Sequence, residues 1–278
     1  MTEPPMSTDL TGLTATVTGA GSAPADVVGN GRAVATLLAR RGANVVAVDR
    51  DASRVEDTAS YLNESGGSCL PLVGDVTDDA FCREISERAV AEYGAVNMLF
   101  NNVGVGGPQG TVVNVDLEKW RRTLDVNVTS MLLTSRYAIP KMVAAGGGAI
   151  VNMSSAAGLV GGHAHIAYAV TKGAIVNMTR AMAAQHGADG IRVNCVAPGM
   201  AYTAMVASQN MTTEMREARR QRSMLQTEGT PWDVAETVVF LLSPAAKWTT
   251  GVTVPVDAGR TAGERSNPVF VFDKEISS

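Results

Sequence analysis

Short β-rich runs at 15–18, 44–48, 69–73, 97–100, 149–153 and 192–196 alternate with helical stretches that include 31–41, 51–64, 78–93 and 117–144. Strands that recur between such stretches read as parallel neighbours, each joined to the next by a crossover helix, which places the chain in the α/β class. A further run at 252–256, after Thr249-Thr250-Gly251, extends the same sheet. With 278 residues, 45% of them hydrophobic, the chain can bury one large core. No repeat, low-complexity block or Pro/Ser-rich linker marks a second domain. Residues 200–228 break the rhythm: Met200, Met205, Met211, Met215 and Met224 crowd there, and a charged run closes the segment at 216–222. It is expected to form a helical lid over the edge of the sheet.

Composition narrows the partners. A net charge of −4 and a pI near 5.5 remove the electrostatic case for nucleic acid. Cys69, Cys82 and Cys195 are well separated and form neither an even disulfide framework nor a metal-ligand cluster, so a reducing cytoplasm is the expected compartment and no metal is expected. Residues 1–9 are acidic and proline-containing, unlike a signal peptide, and no run reaches the ~18 apolar residues of a membrane span.

After the first strand comes Gly19-Ala20-Gly21-Ser22, and Gly29-Asn30-Gly31 opens the first helix. Glycine permits a tight turn and lets backbone N–H groups approach a pyrophosphate, although an ordinary glycine-rich loop reads the same way. Asp49 ends the second strand, where a carboxylate can accept hydrogen bonds from adenosine ribose hydroxyls and would repel a 2′-phosphate. That favours NAD over NADP. Arg50 beside it could pair with such a phosphate, and Asp49-Arg50-Asp51 also reads as a solvated helix cap.

Tyr168 and Lys172 are spaced i, i+4, which puts a phenol and an ammonium on one helical face. A cation held nearby favours the phenolate, so the expectation is a tyrosine whose pKa is lowered toward neutrality.

In this combination the motifs resemble the short-chain dehydrogenase/reductase family from about Leu10 to Gly259. The matching residues are Thr18-Gly19 with Gly29-Asn30-Gly31, Asp75-Val76, Asn101-Asn102-Val103-Gly104, Asn127, Ser154-Ser155, Tyr168 with Lys172, and the run from Pro198 to Thr203. The resemblance implies a Rossmann fold: a doubly wound parallel sheet in three α/β/α layers, one domain over 10–260, assembled as a homotetramer or homodimer. It implies that Tyr168 exchanges the substrate's hydroxyl proton. Lys172 holds the nicotinamide ribose, and Ser155, rather than Ser154, hydrogen-bonds the substrate oxygen. Asn127 links Lys172 to solvent through a water. The cofactor is implied to lie along Gly19, Gly21, Ser22, Asn30, Gly31, Asp49, Arg50, Asp75, Val76, Asn102, Val103, Gly104, Pro198, Gly199, Ala201 and Thr203. Asp75 and Val76 would meet adenine, Asn102 the adenosine ribose, and Thr203 the carboxamide or pyrophosphate.

The chain departs from the family pattern in three places. About six residues are inserted between Ser22 and Gly29, expected to bulge outward; Val103 and Ala258 replace the family's alanine and glycine; and 261–278 extends past the usual end, with an apolar stretch at 268–272 expected to pack on a neighbouring subunit or the active site. His165 and Tyr202 are candidates for substrate contact, with His163 two residues before His165. The methionine-rich lid favours a hydrophobic or cyclic secondary alcohol and its ketone. An NADPH-dependent carbonyl reductase, a nucleotide-sugar epimerase and a non-catalytic dinucleotide sensor are the alternatives.

Overall fold

The computed structural model describes residues 9–22, 27–208 and 210–263. The N-terminal tail, most of the inserted loop and the apolar stretch at 268–272 lie outside the described residues.

Seven strands form one parallel sheet: β1 (Thr14–Thr18), β2 (Asn44–Asp49), β3 (Ser68–Val73), β4 (Met98–Asn101), β5 (Gly148–Met153), β6 (Ile191–Pro198) and β7 (Thr253–Val256). Their order across the sheet is β3-β2-β1-β4-β5-β6-β7. The chain therefore winds outward from β1 in one direction and from β4 in the other, and a crevice opens between the carboxyl ends of those two strands. The connecting helices are α1 (Asn30–Arg40), α2 (Ala52–Glu64), α3 (Asp79–Tyr93), α4 (Leu117–Leu124), α5 (Ser130–Ala144), α6 (Ile166–His186), α7 (Ala204–Ala207), α8 (Thr213–Arg220) and α9 (Pro231–Leu242).

Both faces of the sheet are covered, which is why nearly every residue of β1, β2, β4 and β5 is buried, Thr14, Thr16, Thr18 and Asn152 among them. In β2, Val45 and Ala47 pack with residues of α1, α2 and α9, while Val46 and Val48 pack with residues of α3, α5 and α6. Successive side chains of a strand point to opposite faces, so one strand feeds both cores.

Two expectations are corrected. The stretch 117–144 is not one regular helix: a π-helical turn at Asp125–Thr129 separates α4 from α5. The inserted residue of a π-bulge rotates the following side chains, and such bulges concentrate where a side chain has to be re-aimed. The lid does not simply lie at the sheet's edge. Its Ala204 N–H donates to Val28 O at 3.3 Å and its Leu225 N–H to Ala258 O at 3.2 Å, so it spans from the turn after β1 to the loop after β7, across the strands' carboxyl ends.

Candidate active site

The turn after β1 accepts only glycine where it meets α1. Gly19 has φ +65°, and a Cβ on Gly31 would lie 2.0 Å from the Gly19 carbonyl oxygen. Helix α1 can thus press its first turn against the loop, with no side chain capping its N-terminal N–H groups. Asp49 supports the same turn: its Oδ2 accepts from Gly21 N–H at 2.9 Å and its Oδ1 from Asp51 N–H at 3.1 Å. Asp51, by contrast, caps α2 through Arg54 N–H. The two readings of the acidic cluster therefore belong to different residues. Arg50 is exposed beside them. Ser22 Oγ accepts from Gly29 N–H at 3.1 Å and so pins together the ends of the inserted loop.

Asn102 locks this turn instead of facing outward, its Nδ2 donating to Thr18 O and Gly19 O at 3.1 Å each. Val103 Cγ2 would lie 3.3 Å from a Cβ on Gly19. Asp75 accepts from Thr77 and pairs with Arg122 at 3.1 Å, and Val76 is buried beneath it, its carbonyl accepting from Cys82 Sγ. Pro198 ends β6, and Gly199 follows so close to Asp257 that a Cβ would fall 2.5 Å from the Asp257 Cβ. Thr203 caps α7, and Ala201 is bridged to Gly229.

One feature of this crevice asks for a partner. Asn30 Oδ1, at the mouth of α1, is buried and accepts no hydrogen bond. An orphaned acceptor beside a glycine-only cradle and a carboxylate with spare lone pairs fits a dinucleotide, whose ribose hydroxyls supply donors and whose pyrophosphate takes N–H groups.

Facing this crevice, α6 carries Tyr168 and Lys172. Lys172 is buried, its Nζ donating to Met153 O at 2.9 Å and lying 5.5 Å from the centroid of the Tyr168 ring. Burial pushes its pKa down to about 8. The adjacent serines separate in role. Ser154 Oγ donates to Lys172 O at 2.7 Å and anchors α6 to β5, whereas Ser155 hydrogen-bonds the Tyr168 phenol. Gly158 makes this possible, since a Cβ there would come 2.5 Å from the Lys172 carbonyl carbon.

The π-turn delivers Asn127 to the same place. Its Oδ1 accepts from Val105 N–H at 2.7 Å, and its Nδ2 donates to Val105 O at 2.9 Å and Thr171 Oγ1 at 3.0 Å. A Cβ on Gly104 would sit 3.3 Å from Lys172 Nζ and 3.4 Å from Asn127 Oδ1, so glycine at this position keeps the space between the two side chains open. Thr171 and the Val105 peptide were not foreseen in the sequence; Thr171 lay inside the Tyr168–Lys172 interval, but nothing local said that it would meet Asn127.

The expected direction of the Tyr168 pKa is corrected. Burial raises it, and the Ser155 hydrogen bond offsets only part of that rise. The lysine's charge is itself costly at this depth, and desolvation dominates at the phenol. The substrate candidates also move. His165 Nδ1 lies 3.2 Å from Gly106 O, and it is the ring of His163 that packs against Tyr168, with centroids 4.9 Å apart. Tyr202 stacks beneath Arg216 at 3.9 Å and walls a cavity of about 630 Å³ that Val27, Val28 and Trp232 also line; Ser155, Tyr168 and Lys172 are not part of its lining.

Comparisons agree with this geometry. The sequence model of a family described as enoyl-(acyl carrier protein) reductase matches residues 25–261. The chain is 39% identical to cis-4-hydroxycyclohexanecarboxylate dehydrogenase of Sinomonas cyclohexanicum, over 89% of this chain and 96% of that one. A crystal structure from Burkholderia xenovorans, assigned to the short-chain dehydrogenases/reductases, superposes with a TM-score of 0.86 at 38% identity, covering 92% of this chain and 98% of the other. A 7α-hydroxysteroid dehydrogenase in complex with NADH and 7-oxo glycochenodeoxycholic acid superposes with a TM-score of 0.83 at 31% identity, covering 90% and 95%. With its seven-stranded doubly wound sheet, its glycine turn and its buried Tyr168–Lys172 pair, the chain belongs to the short-chain dehydrogenase/reductase family and is an oxidoreductase of the kind that uses a nicotinamide dinucleotide.

Proposed function

We propose that the protein interconverts a cyclic or otherwise apolar secondary alcohol and its ketone with NAD(H). The observation that carries the reading is the convergence of Ser155, Tyr168 and buried Lys172 on one side of the glycine crevice. The bound nicotinamide supplies hydride transfer. The chain's residues handle the oxygen and its proton. Ser155 donates to the substrate oxygen and orients it. Tyr168 takes the hydroxyl proton as the alcohol becomes a ketone, and returns it in the reverse direction. The Lys172 ammonium keeps two N–H donors beyond the one held by Met153 O, and these serve the ribose hydroxyls. Asn127, clamped on the Val105 peptide, retains a lone pair on Oδ1 for a water beside Lys172.

NAD is preferred over NADP because Asp49 stands at the end of β2, each oxygen accepting only one backbone N–H. The remaining lone pairs suit ribose hydroxyls and oppose a 2′-phosphate. The methionines of the lid, among them half-exposed Met205, Met215 and Met224, suit an apolar ring. The relative from Sinomonas cyclohexanicum is named for a ring alcohol, in keeping with this choice. Initial rates with sugars, short alcohols and cyclic alcohols, each with NAD and NADP, test the proposal. Cyclic alcohols with NAD are expected to give the highest kcat/KM; a preference for polyols overturns the substrate reading, and tighter binding of NADPH than NADH overturns the cofactor reading.

A further inference from the structure

The ring of His163 lies 4.9 Å from that of Tyr168, centroid to centroid, with 33° between the two planes. At that distance the centroids are too close for an in-plane N–H···O bond between the rings, so the face of the imidazole meets Tyr168. The backbone of His165 fixes the imidazole, its N–H donating to His163 Nδ1 at 3.2 Å. A backbone hydrogen cannot turn away. Nδ1 is therefore the bare acceptor nitrogen, and the proton of the neutral ring sits on Nε2. His165 is itself anchored to the loop after β4, with its Nδ1 3.2 Å from Gly106 O and its backbone bridged to Gly110. Two loops thus hold a flat, uncharged ring against the side chain that carries the proton.

Tyr168 meets its other neighbours differently. Ser155 hydrogen-bonds its phenol, and the Lys172 ammonium lies 5.5 Å from its ring centroid. His163 in turn faces the edge-on ring of His165 and feels the charge of Arg222. Burial is what raises the Tyr168 pKa, and the His163 ring is part of what buries it. Taking water from beside a phenol disfavours the phenolate, and a neutral imidazole face supplies no charge to offset the loss.

We propose that His163 is a positioning residue for the proton step: its neutral ring walls one side of the Tyr168 phenol from water, keeps it a proton donor, and biases the protein at neutral pH toward ketone reduction. This rests on the reading of Tyr168 as the proton-exchanging residue and adds what sets the pH at which that residue changes role.

The test starts from the free protein, in the tyrosinate absorbance that the unaltered chain shows on alkaline titration and Tyr168→Phe lacks. In His163→Ala this signal is expected to appear about one pH unit lower, roughly a tenfold gain in ionisation at a given pH, as water regains that side. In His163→Phe, which keeps a flat ring and removes the nitrogens, it is expected to stay where the unaltered protein has it. His163 is exposed apart from this contact, so both variants are expected to fold. Turnover of cyclohexanol and cyclohexanone with NAD(H) gives the same comparison below the pH at which the fold is lost. There His163→Ala is expected to move the rise of oxidation and the fall of reduction to lower pH by the same amount, which a merely structural loop residue would not do. Unshifted titrations in His163→Ala overturn the proposal. So does a His163→Phe shift as large as that of His163→Ala, because the imidazole would then act through a nitrogen. Retained turnover in Tyr168→Phe overturns the underlying reading instead, and is seen independently of either His163 variant.

Discussion

Tyr168 is a neutral phenol in the free protein, because burial outweighs the help it receives from Ser155. The neutral form is the proton donor that ketone reduction needs, whereas alcohol oxidation needs the phenolate. Initial rates of the two directions are therefore expected to run oppositely with pH, oxidation rising and reduction falling from pH 7 toward alkaline values. Tyr168→Phe removes the exchangeable proton and keeps the ring against His163. It is expected to cut turnover by about 10²-fold or more while NADH binding, followed by its fluorescence, persists. Retained turnover in that variant would remove Tyr168 from the proton step. The residue types of the site were legible in the sequence because Tyr168 and Lys172 sit four apart on one helix. Which histidine meets Tyr168 was not: His163 and His165 lie on the same short loop, and the choice follows from Gly106 O holding His165.

At the scale of elements, the cofactor crevice depends on how closely α1 can approach the turn after β1. A methyl group on Gly31 would fall 2.0 Å from the Gly19 carbonyl oxygen, inside any allowed contact, and the obstructing atom is backbone that cannot rotate away. Gly31→Ala is expected to lower the melting temperature by several degrees and to weaken NADH binding by more than tenfold, since the helix must back away from the turn that it completes. Thermal unfolding and a binding titration check both; unchanged affinity would mean that the turn tolerates a looser fit. Strands and most helices were legible from their apolar runs, because burial on both faces of a parallel sheet leaves the same local mark wherever it occurs. The π-turn at Asp125–Thr129 was hidden inside a continuous helical pattern. The extra residue of that turn shifts the helical phase only once along the stretch, and it turns Asn127 toward Val105 and Thr171.

For the molecule as a whole, the role proposed for Lys172 is set against stability. Burial holds its pKa at about 8, below the ordinary 10.5, so below pH 8 the folded protein carries a charge that it would bind less tightly than the unfolded chain. That costs about 3 kcal/mol. Between about pH 8 and 10.5 the folded state releases the proton first, the unfolded chain holds more protons, and this contribution to stability rises with pH. The stability difference between the unaltered protein and Lys172→Met, measured without cofactor, is expected to narrow across that window and to be flat below it. A difference that is flat from pH 7 to 10.5 would show that the ammonium is solvated. By itself the sequence determined the order of strands and helices along the chain and the glycine turn, because each is written in spacing that a strand, turn or helix reads locally, and its family resemblance pointed to Ser155, Tyr168 and Lys172. Only the tertiary structure decided that Lys172 is buried, that Tyr168 is neutral, and that Asn127 grips Val105. Those properties depend on desolvation and on partners tens of residues away, and packing sets both.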